Sequence, residues 1–401
     1  MKRRAKPRAA WSVGPVIDWL LREGRLKADP VALVDSLAAQ LLRAGAPLWR
    51  LRLGFFTIHP QVAAWAYVWK HGEKTQIERF PHGVRQSAAF IGSPAQRMMD
   101  SGAPVRYRLD ALARADHRLL HELAAEGGTD YLLLPLRFSD GSRNVFAVAT
   151  EFARGFDARD LANFEQLSHA LGAALEAAAT HRIAETLLDT YVGHRSGRRI
   201  LSGQIQRGAA DIIEAAIWYA DLRDFTALSE KLPSARLLEM LNAYFELVAQ
   251  AVTPRGGEIL RFMGDAMLIL FPADQKGQLG AACAAAMDAA LDAFARAETV
   301  NHRRRLDACP EIRFGVGLNA GQVVYGNVGA PDRLDFTVIG PAVNRAARLE
   351  SMTKDLGVPL LMTATFAAAL GRPTRSLGAH QMRGLEEPVE VFVLDAPQAA
   401  P

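Results

Sequence analysis

Apolar positions in the first half of the chain alternate between helical and strand spacing. Residues 31–44 repeat Val, Leu and Ala every three or four positions, which predicts an amphipathic helix. Leu51–Ile58 and Ala64–Trp69 are short runs rich in aromatic and branched residues, separated by His59–Pro60, and they predict two strands. A basic tail and lead-in, residues 1–30, precede this mixed module.

A strong turn signal marks the clearest hairpin of this half. Tyr131–Phe138 and Arg143–Thr150 flank the sequence Ser-Asp-Gly-Ser, and residues 157–180 then predict a helix with an Asp-rich start. This order of helix, antiparallel strands, helical excursion, hairpin and closing helix resembles a GAF-type sensory domain over residues 31–182. An α+β module that serves only dimerisation is the alternative.

The two early strands are rich in aromatic residues, namely Phe55, Phe56, Trp65, Tyr67 and Trp69. Such residues suit either the wall of a ligand pocket or the interior of a core. Core packing is the commoner use of large apolar side chains, so we expect it here.

Residues 183–212 predict a connector between two domains. Apolar residues first recur at helical spacing, and the pattern is then interrupted by Gly193, Gly197, Gly203 and Gly208. The segment is either a passive linker or a transducer between the parts that it joins.

A carboxylate follows the first clear strand of the second half. The apolar run Ala215–Ala220 ends on Asp221, and the chain turns from there into a helix predicted over residues 227–252. A carboxylate at a strand end beside a helix start suits a hard cation with a phosphate, because free N–H groups bind phosphate oxygens. A helix-capping Asp is the alternative.

A second carboxylate occupies a predicted hairpin tip. Two apolar runs within residues 258–271 flank Gly264 and Asp265. A β-α-β-β order can place the end of its first strand beside the tip of the following hairpin. We therefore expect Asp221 and Asp265 to lie together, where carboxylates, water and substrate phosphates would hold divalent ions.

Two further segments complete the pattern. Residues 314–329 predict a hairpin with its turn at Asn319–Gly321, and residues 335–340 predict a strand that leads into a helix from Pro341. On that helix Asn344 and Arg348 lie four positions apart and share one face. An amide beside a guanidinium suits a ribose and a phosphate, while two exposed surface side chains are the alternative.

Composition, charge and cysteine content limit the classes of protein to which the chain can belong. The 401 residues are 50 % apolar and 22 % charged, which is typical of a folded chain of two or three domains. The net charge of +4 resides in the first ten residues, which hold five Lys or Arg and no acid, so we expect no nucleic-acid partner. The chain has no apolar run of membrane-spanning length, about 18 residues, and no secretory signal pattern, and it has two cysteines. These features favour a cytoplasmic protein.

The segments ADLRDFT, FMGDAM and DFTVIGPAVNRAAR, taken in order, resemble the catalytic domain of class III adenylate and guanylate cyclases over residues 213–397. The resemblance implies an α+β chain in which a ferredoxin-like βαββαβ catalytic domain follows the GAF-like sensory domain. It also implies two divalent ions per site, Mg²⁺ or Mn²⁺, held by Asp221, Asp265 and the backbone carbonyl of Leu222.

The resemblance assigns substrate contacts as well. Phe225 and Thr226 match the turn that cradles phosphates, and Arg383 matches a position, usually Lys, that grips the terminal phosphates. Asn344 matches the residue that orients the ribose, and Arg348 matches the residue that stabilises charge on the α-phosphate.

Two positions match residues that select the purine. Arg261 stands where adenylate cyclases usually carry Lys and guanylate cyclases Glu, and Thr337 occurs in a bacterial branch usually assigned to adenylate cyclases. A donor at 261 suits N1 of adenine, an acceptor. The chain departs from the family at Gly315, where an Arg that contacts phosphate is common, and Arg313 on the same predicted strand is a possible replacement.

The implied function is conversion of ATP to 3′,5′-cyclic AMP and pyrophosphate, in a homodimer with shared active sites, under the control of a small-molecule or protein signal at residues 31–182. A guanylate cyclase and a catalytically silent nucleotide-binding regulator are the alternatives. The sequence does not identify the signal.

Overall fold

The computed structural model describes residues 10–382 and 386–395, which divide into two compact units between Leu187 and Leu188. Within these described ranges, every helix is too short or too polar to cross a bilayer. Both cysteines, Cys283 and Cys309, are free thiols.

The first unit is a single sheet with helices on both faces. Its helices are α1 Gly14–Arg22, α2 Pro30–Arg43, α3 Pro94–Ser101, α4 Arg118–Ala125 and α5 Ala158–Val192, of which α5 continues past the division. Its strands are β1 Arg50–Phe56, β2 Ala64–Lys70, β3 Gln76–Phe80, β4 Val105–Arg108, β5 Asp130–Arg137 and β6 Arg143–Thr150.

All strand pairs of this sheet are antiparallel, in the order β3-β2-β1-β6-β5-β4. The predicted hairpin is present as β5 and β6, with Arg137 opposite Arg143 beside the turn. One face of the sheet packs Leu51 and Leu53 against α1, α2 and α5, and the other packs Tyr131 against α3 and α4. The apolar positions of the strands are therefore buried on both sides.

Part of the segment before residue 31, predicted as a tail and lead-in, belongs to the core of the first unit. Trp11, Val16 and Leu20 are buried in that core, and the indole N–H of Trp11 donates to Asp160 at 2.7 Å. Helix α1 is too short to be stable by itself, so the packing of its apolar face against this core stabilises it.

The predicted connector is more ordered than its glycines indicate. The helix predicted over residues 157–180 continues through the helically spaced part to Val192, and α6 His194–Leu201 follows directly after Gly193. Gly197 lies inside α6, where a side chain would press on Leu188 at 3.1 Å, so this glycine permits close packing. The interruption falls at Gly193 and after Leu201.

The second unit contains α6 and an eight-stranded sheet. Its strands are β7 Ala210–Leu222, β8 Glu258–Met263, β9 Ala266–Ala273, β10 Phe314–Ala330, β11 Arg333–Ile339, β12 Leu360–Thr363, β13 Thr374–His380 and β14 Val389–Leu394. Its further helices are α7 Phe225–Lys231, α8 Ser234–Val252, α9 Leu279–Leu306, α10 Pro341–Asp355 and α11 Ala364–Leu370. The single helix predicted over residues 227–252 is thus two helices, because Pro233 interrupts it.

The centre of this sheet has the strand order β10-β7-β9-β8, all antiparallel, with α8 after β7 and α9 after β9. This is the βαββαβ arrangement of a ferredoxin-like unit, as the sequence predicts. Helices α8 and α9 bury Trp218 and Phe271 against one face, and α10 covers Ile217 and Tyr325 on the other.

The prediction of a hairpin within residues 314–329 is wrong. β10 is one continuous strand that pairs with β7 from Phe314 to Gly326, and the chain reverses only after Ala330. Asn319, predicted in the turn, is buried, and its amide donates to the Ala342 carbonyl at 2.9 Å and accepts from Thr363 Oγ1 at 2.7 Å. Hydrogen bonds to residues distant in sequence satisfy the Asn319 side chain, which would otherwise favour a turn.

Asn319→Ala should lower the free energy of unfolding by about 2–3 kcal/mol, because it removes the amide that donates to the Ala342 carbonyl and the buried acceptor shared by the hydroxyls of Thr363 and Thr365. Thermal and urea unfolding of the full chain measure the change. Gln322→Ala, an exposed position on the same strand, is the control and should shift stability by less than about 0.5 kcal/mol. Equal effects of the two substitutions would contradict the buried role of Asn319.

Candidate active site

The two carboxylates predicted to lie together do so at one end of the central strands. Asp221 is the penultimate residue of β7 and pairs in register with Ala266, and Asp265 directly precedes Ala266 in the tight turn between β8 and β9. The side chain of Asp265 lies within hydrogen-bonding range of that of Asp221. Asp221 does not cap α7, because the cap position belongs to Asp224.

The environment of Asp221 is unfavourable for a carboxylate that lacks a cation. Its Oδ1 atom is buried and has no hydrogen-bond partner among the described residues. Burial, Asp265 and Glu350 together raise the pKa of the Asp221 carboxyl to about 7, while the backbone N–H of Leu222 lowers it. Two close carboxylates with an unpartnered buried oxygen fit a hard divalent cation, which prefers oxygen ligands and offsets like-charge repulsion.

A third carboxylate, that of the buried Glu350, lies near this pair and is absent from the predicted residues. Burial raises its pKa to about 7, against the opposing effect of Arg223, which pairs with it at 3.1 Å. Glu350 lies on the inner face of α10, which also buries Ala346 and Thr353. Its place among apolar residues at helical spacing is the signal that would have identified it.

Gly315 makes room for this arrangement. It stands opposite Asp221 in the β7–β10 pairing, and a Cβ atom there would lie 2.3 Å from Nη2 of Arg223 and 2.4 Å from Oε1 of Glu350. The guanidinium of Arg223, hydrogen-bonded also to Thr353, therefore occupies the space above Gly315. Arg313, suggested as a replacement, lies before β10 and pairs with Asp224 at 3.3 Å.

The residues matched to purine selection lie on neighbouring strands. Arg261 is on β8, and its guanidinium forms an ion pair with Asp335 on β11. Thr337 is buried two residues farther along β11, so its side chain and that of Asp335 lie on the same face of the strand. Asp335 thus links the two candidate positions and was missed because it makes no local motif.

Asn344 and Arg348 lie on α10, apart from the carboxylates. Asn344 is exposed and Arg348 half-buried, and neither side chain has a hydrogen-bond or ion-pair partner within residues 10–382 and 386–395. Phe225 and Thr226 begin α7, directly after Asp224. Arg383 lies outside the described residues. Within the described residues, a single chain therefore brings Asp221 and Asp265 together but joins neither Asn344 nor Arg348 to them by a hydrogen bond or ion pair.

Comparison with known proteins supports this description of the second unit. Residues 209–396 match the family described as the adenylate and guanylate cyclase catalytic domain. That part of the chain belongs to this family, as the ferredoxin-like core and the paired carboxylates at its strand ends led us to expect.

Individual relatives each match roughly half of the chain. Adenylate cyclase 1 of Rhizobium meliloti (strain 1021) is 31 % identical over 48 % of this chain and 29 % of its own length. An adenylate cyclase of Anabaena cylindrica is 35 % identical over 42 % of this chain and 33 % of its own length. A bacterial light-regulated adenylyl cyclase of known structure is 28 % identical, covering 58 % of this chain and 65 % of that one with a TM-score of 0.46. The chain spans about a third of the length of the two curated relatives.

Asp221→Asn should raise the stability of the cation-free protein at pH 8 by roughly 1–2 kcal/mol, because the amide can donate to Asp265 where two carboxylates repelled each other. It should also abolish the stabilisation that saturating Mn²⁺ gives the unsubstituted chain, about 2.7 kcal/mol at a hundredfold excess over Kd. Thermal unfolding with chelator and with Mn²⁺ measures both effects.

Asp274→Asn is the matched control. Its carboxylate pairs with Arg195, which lowers the pKa of Asp274, so this substitution removes a favourable partner and should destabilise the protein while leaving the Mn²⁺ response intact. A destabilised Asp221→Asn protein that still responds fully to Mn²⁺ would rule out a cation site at Asp221.

Proposed function

We propose that the protein is an adenylate cyclase that converts ATP to 3′,5′-cyclic AMP and pyrophosphate. The observation that carries the proposal is the unpartnered buried oxygen of Asp221 beside Asp265, at the strand end where a cation and a triphosphate would meet. The names of the two curated relatives support the choice of adenylate over guanylate.

Asp221, Asp265 and the Leu222 carbonyl would hold two divalent ions, Mg²⁺ or Mn²⁺. Bound there, such ions supply a lowered pKa for the ribose 3′-hydroxyl and charge neutralisation for the triphosphate. The chain's own contribution is to hold the two carboxylates close together at the strand end. Arg223 neutralises Glu350 and so limits the negative charge around them.

Further residues would orient ATP for in-line attack of the 3′-oxygen on the α-phosphorus. Asn344 would hold the ribose, and Arg348 would stabilise charge that develops on the α-phosphate. The free N–H groups at Phe225 and Thr226 would bind phosphate oxygens, since the first turn of a helix leaves its donors unused. Arg383 would hold the leaving pyrophosphate. Phosphoryl chemistry of this kind depends on positioning and fixed charge.

Arg261 and Thr337 should select adenine. A guanidinium only donates hydrogen bonds, and N1 of adenine accepts one whereas N1 of guanine carries a proton. The contact between Arg261 and Asp335 supports this role because it holds the guanidinium beside the strand of Thr337.

We expect ATP to be turned over with a kcat/KM roughly tenfold to a hundredfold above that for GTP, and Arg261→Glu to reverse or abolish the preference. Purified full-length protein with Mg²⁺ or Mn²⁺, and cyclic products identified by mass, provides the measurement. Preference for GTP would make the protein a guanylate cyclase. No cyclic product from either nucleotide would favour a silent nucleotide-binding regulator.

A homodimer would assemble the site. Among the described residues of one chain, Asn344 and Arg348 make no hydrogen bond or ion pair with Asp221 or Asp265, which supports a site completed by a second copy. Two copies related by a twofold axis would then form two equivalent sites.

Asp221→Ala and Arg348→Ala proteins should each be inactive alone, and mixing them should restore activity, because half of the sites in an Asp221→Ala/Arg348→Ala heterodimer retain all groups. Turnover is measured after the two proteins have been mixed and dimer exchange has been verified. Mixing two Asp221→Ala preparations is the control. Confirmed mixed dimers that remain inactive would place each site within one chain.

The first unit would regulate the cyclase through the connector. Its order of elements supports a GAF-like sensory domain, and α6 is attached to the catalytic sheet. The backbone N–H and the hydroxyl of Ser196 both donate to Glu258 on β8 at 3.0 Å, and the hydroxyl also contacts Tyr325 on β10 at 2.8 Å. A movement of α6 would therefore act directly on the strand that carries Arg261.

Ser196→Ala should lower turnover about threefold to tenfold without unfolding the protein, because a site shared by two subunits is sensitive to displacements near 1 Å. Ser202→Ala is the matched control, since among the described residues its hydroxyl donates only to the Arg199 carbonyl within the same segment. Steady-state kinetics of full-length dimers test the expectation. Equal turnover of both variants and the unsubstituted protein would make the connector a passive linker.

A further inference from the structure

A cavity of about 470 Å³ lies in the first unit, between strands β1 to β3 and the segments that hold α3 and α4. Two thirds of its wall residues are apolar, among them Phe55, Phe56 and Trp65, which the sequence left open between pocket and core. Tyr67 and Trp69 are instead buried in the core with α1, α2 and α5. Phe55 touches the cavity but also packs against that core. The expectation of core packing therefore holds for Tyr67 and Trp69 and in part for Phe55, while Phe56 and Trp65 border a space large enough for a small organic molecule.

Two arginines of β1 are among the residues that line the cavity. Arg50 and Arg52 are two positions apart, so their side chains leave the same face of the strand. Arg52 pairs with Glu78 at 3.2 Å, but its Nε is buried without a partner. Arg50 has no hydrogen bond or ion pair from its side chain anywhere in the described ranges, and its Nη1 is buried.

The other charges of the cavity are already balanced. Glu122, the second carboxylate of the wall, is paired with Arg118, as Glu78 is with Arg52. One guanidinium charge, that of Arg50, is therefore uncompensated. A buried donor that lacks an acceptor costs about 1–3 kcal/mol, and more when it is charged, so this arrangement disfavours an empty cavity.

An organic anion would satisfy these groups. A guanidinium presents parallel N–H groups that match the two oxygens of a carboxylate, and the neighbouring Nε of Arg52 offers another donor. Aromatic walls favour a flat apolar body next to that anionic group. The cation of Arg85 lies 4.4 Å from the ring of Phe56, a residue of the cavity wall, which adds positive charge beside the cavity.

We propose that the first unit binds a small organic carboxylate with a flat apolar body in this cavity, with Arg50 as the residue that receives the carboxylate. The inference concerns binding alone, and it stands whether or not the second unit makes a cyclic nucleotide. Its ligand would be the signal to which the first unit responds.

The test compares 2-naphthoate with the neutral 2-naphthamide on the full-length protein. The two probes share one flat body and differ in the charge that Arg50 would recognise. We expect 2-naphthoate to raise the unfolding temperature and to bind at least about tenfold more tightly than 2-naphthamide, as measured by calorimetry up to about 5 mM probe. Equal binding of both probes, or binding of neither, would overturn the proposal.

Substitutions locate the site. Arg50→Met should weaken 2-naphthoate binding at least about tenfold, and Arg50→Lys should weaken it less because the charge remains while the paired donors are lost. Arg114→Met, at an exposed position outside the cavity, is the matched control and should bind as the unsubstituted protein does. Undiminished binding by folded Arg50→Met protein would overturn the assignment.

A second readout separates recognition from a structural role. Without probe, Arg50→Met should unfold at the same or a higher temperature than the unsubstituted chain, because it removes a buried donor that has no partner. A marked fall in unfolding temperature would mean that Arg50 stabilises the unit itself and would contradict the proposal, and Arg50→Lys would then show the same fall to a smaller degree.

Discussion

The long antiparallel pairing of β7 with β10 is the constraint on which the second unit depends. It runs without a break from Phe314 to Gly326 and sets Asp221 between Ala266 on one side and Gly315 on the other. A Cβ atom at Gly317 would lie 2.2 Å from the Ala346 carbonyl, so the bare strand lets α10 approach closely. The candidate site is therefore formed by a strand end, a hairpin tip and a helix that the same pairing brings together.

Repulsion between the carboxylates at this site destabilises the folded state until a cation binds. Asp221, Asp265 and Glu350 lie close together, and Arg223 is the cation that pairs with Glu350. Burial of like charges raises a carboxyl pKa and reduces stability when the groups ionise. A cation that binds such a pair offsets both burial and repulsion, which is the physical basis for the proposed metal ions.

The first unit contains a positively charged group with a buried atom that lacks a partner in the described ranges, as one carboxylate oxygen of Asp221 does in the second unit. Arg50 presents a partly buried guanidinium without an acceptor among the described residues, in a cavity whose other charges are paired, and an anion there would have the effect that a cation has at Asp221. In both units a buried group that the protein leaves unsatisfied identifies the place and the charge of the expected ligand. The proposed sensory and catalytic roles thus rest on the same kind of observation.

The sequence by itself determined the local elements and chemistry: the β-α-β-β order, the hairpin around Asp265 and the strand that carries Asp221 near its end follow from period, glycines and turn residues close in the chain. The complete βαββαβ arrangement was implied by the family resemblance. The continuous β10 was decided by tertiary structure, because pairing with β7 and the buried partners of Asn319 outweigh a local turn signal. Glu350, Arg223 and Arg50 were also missed. Their significance lies in burial and in partners distant in sequence, which no local pattern specifies.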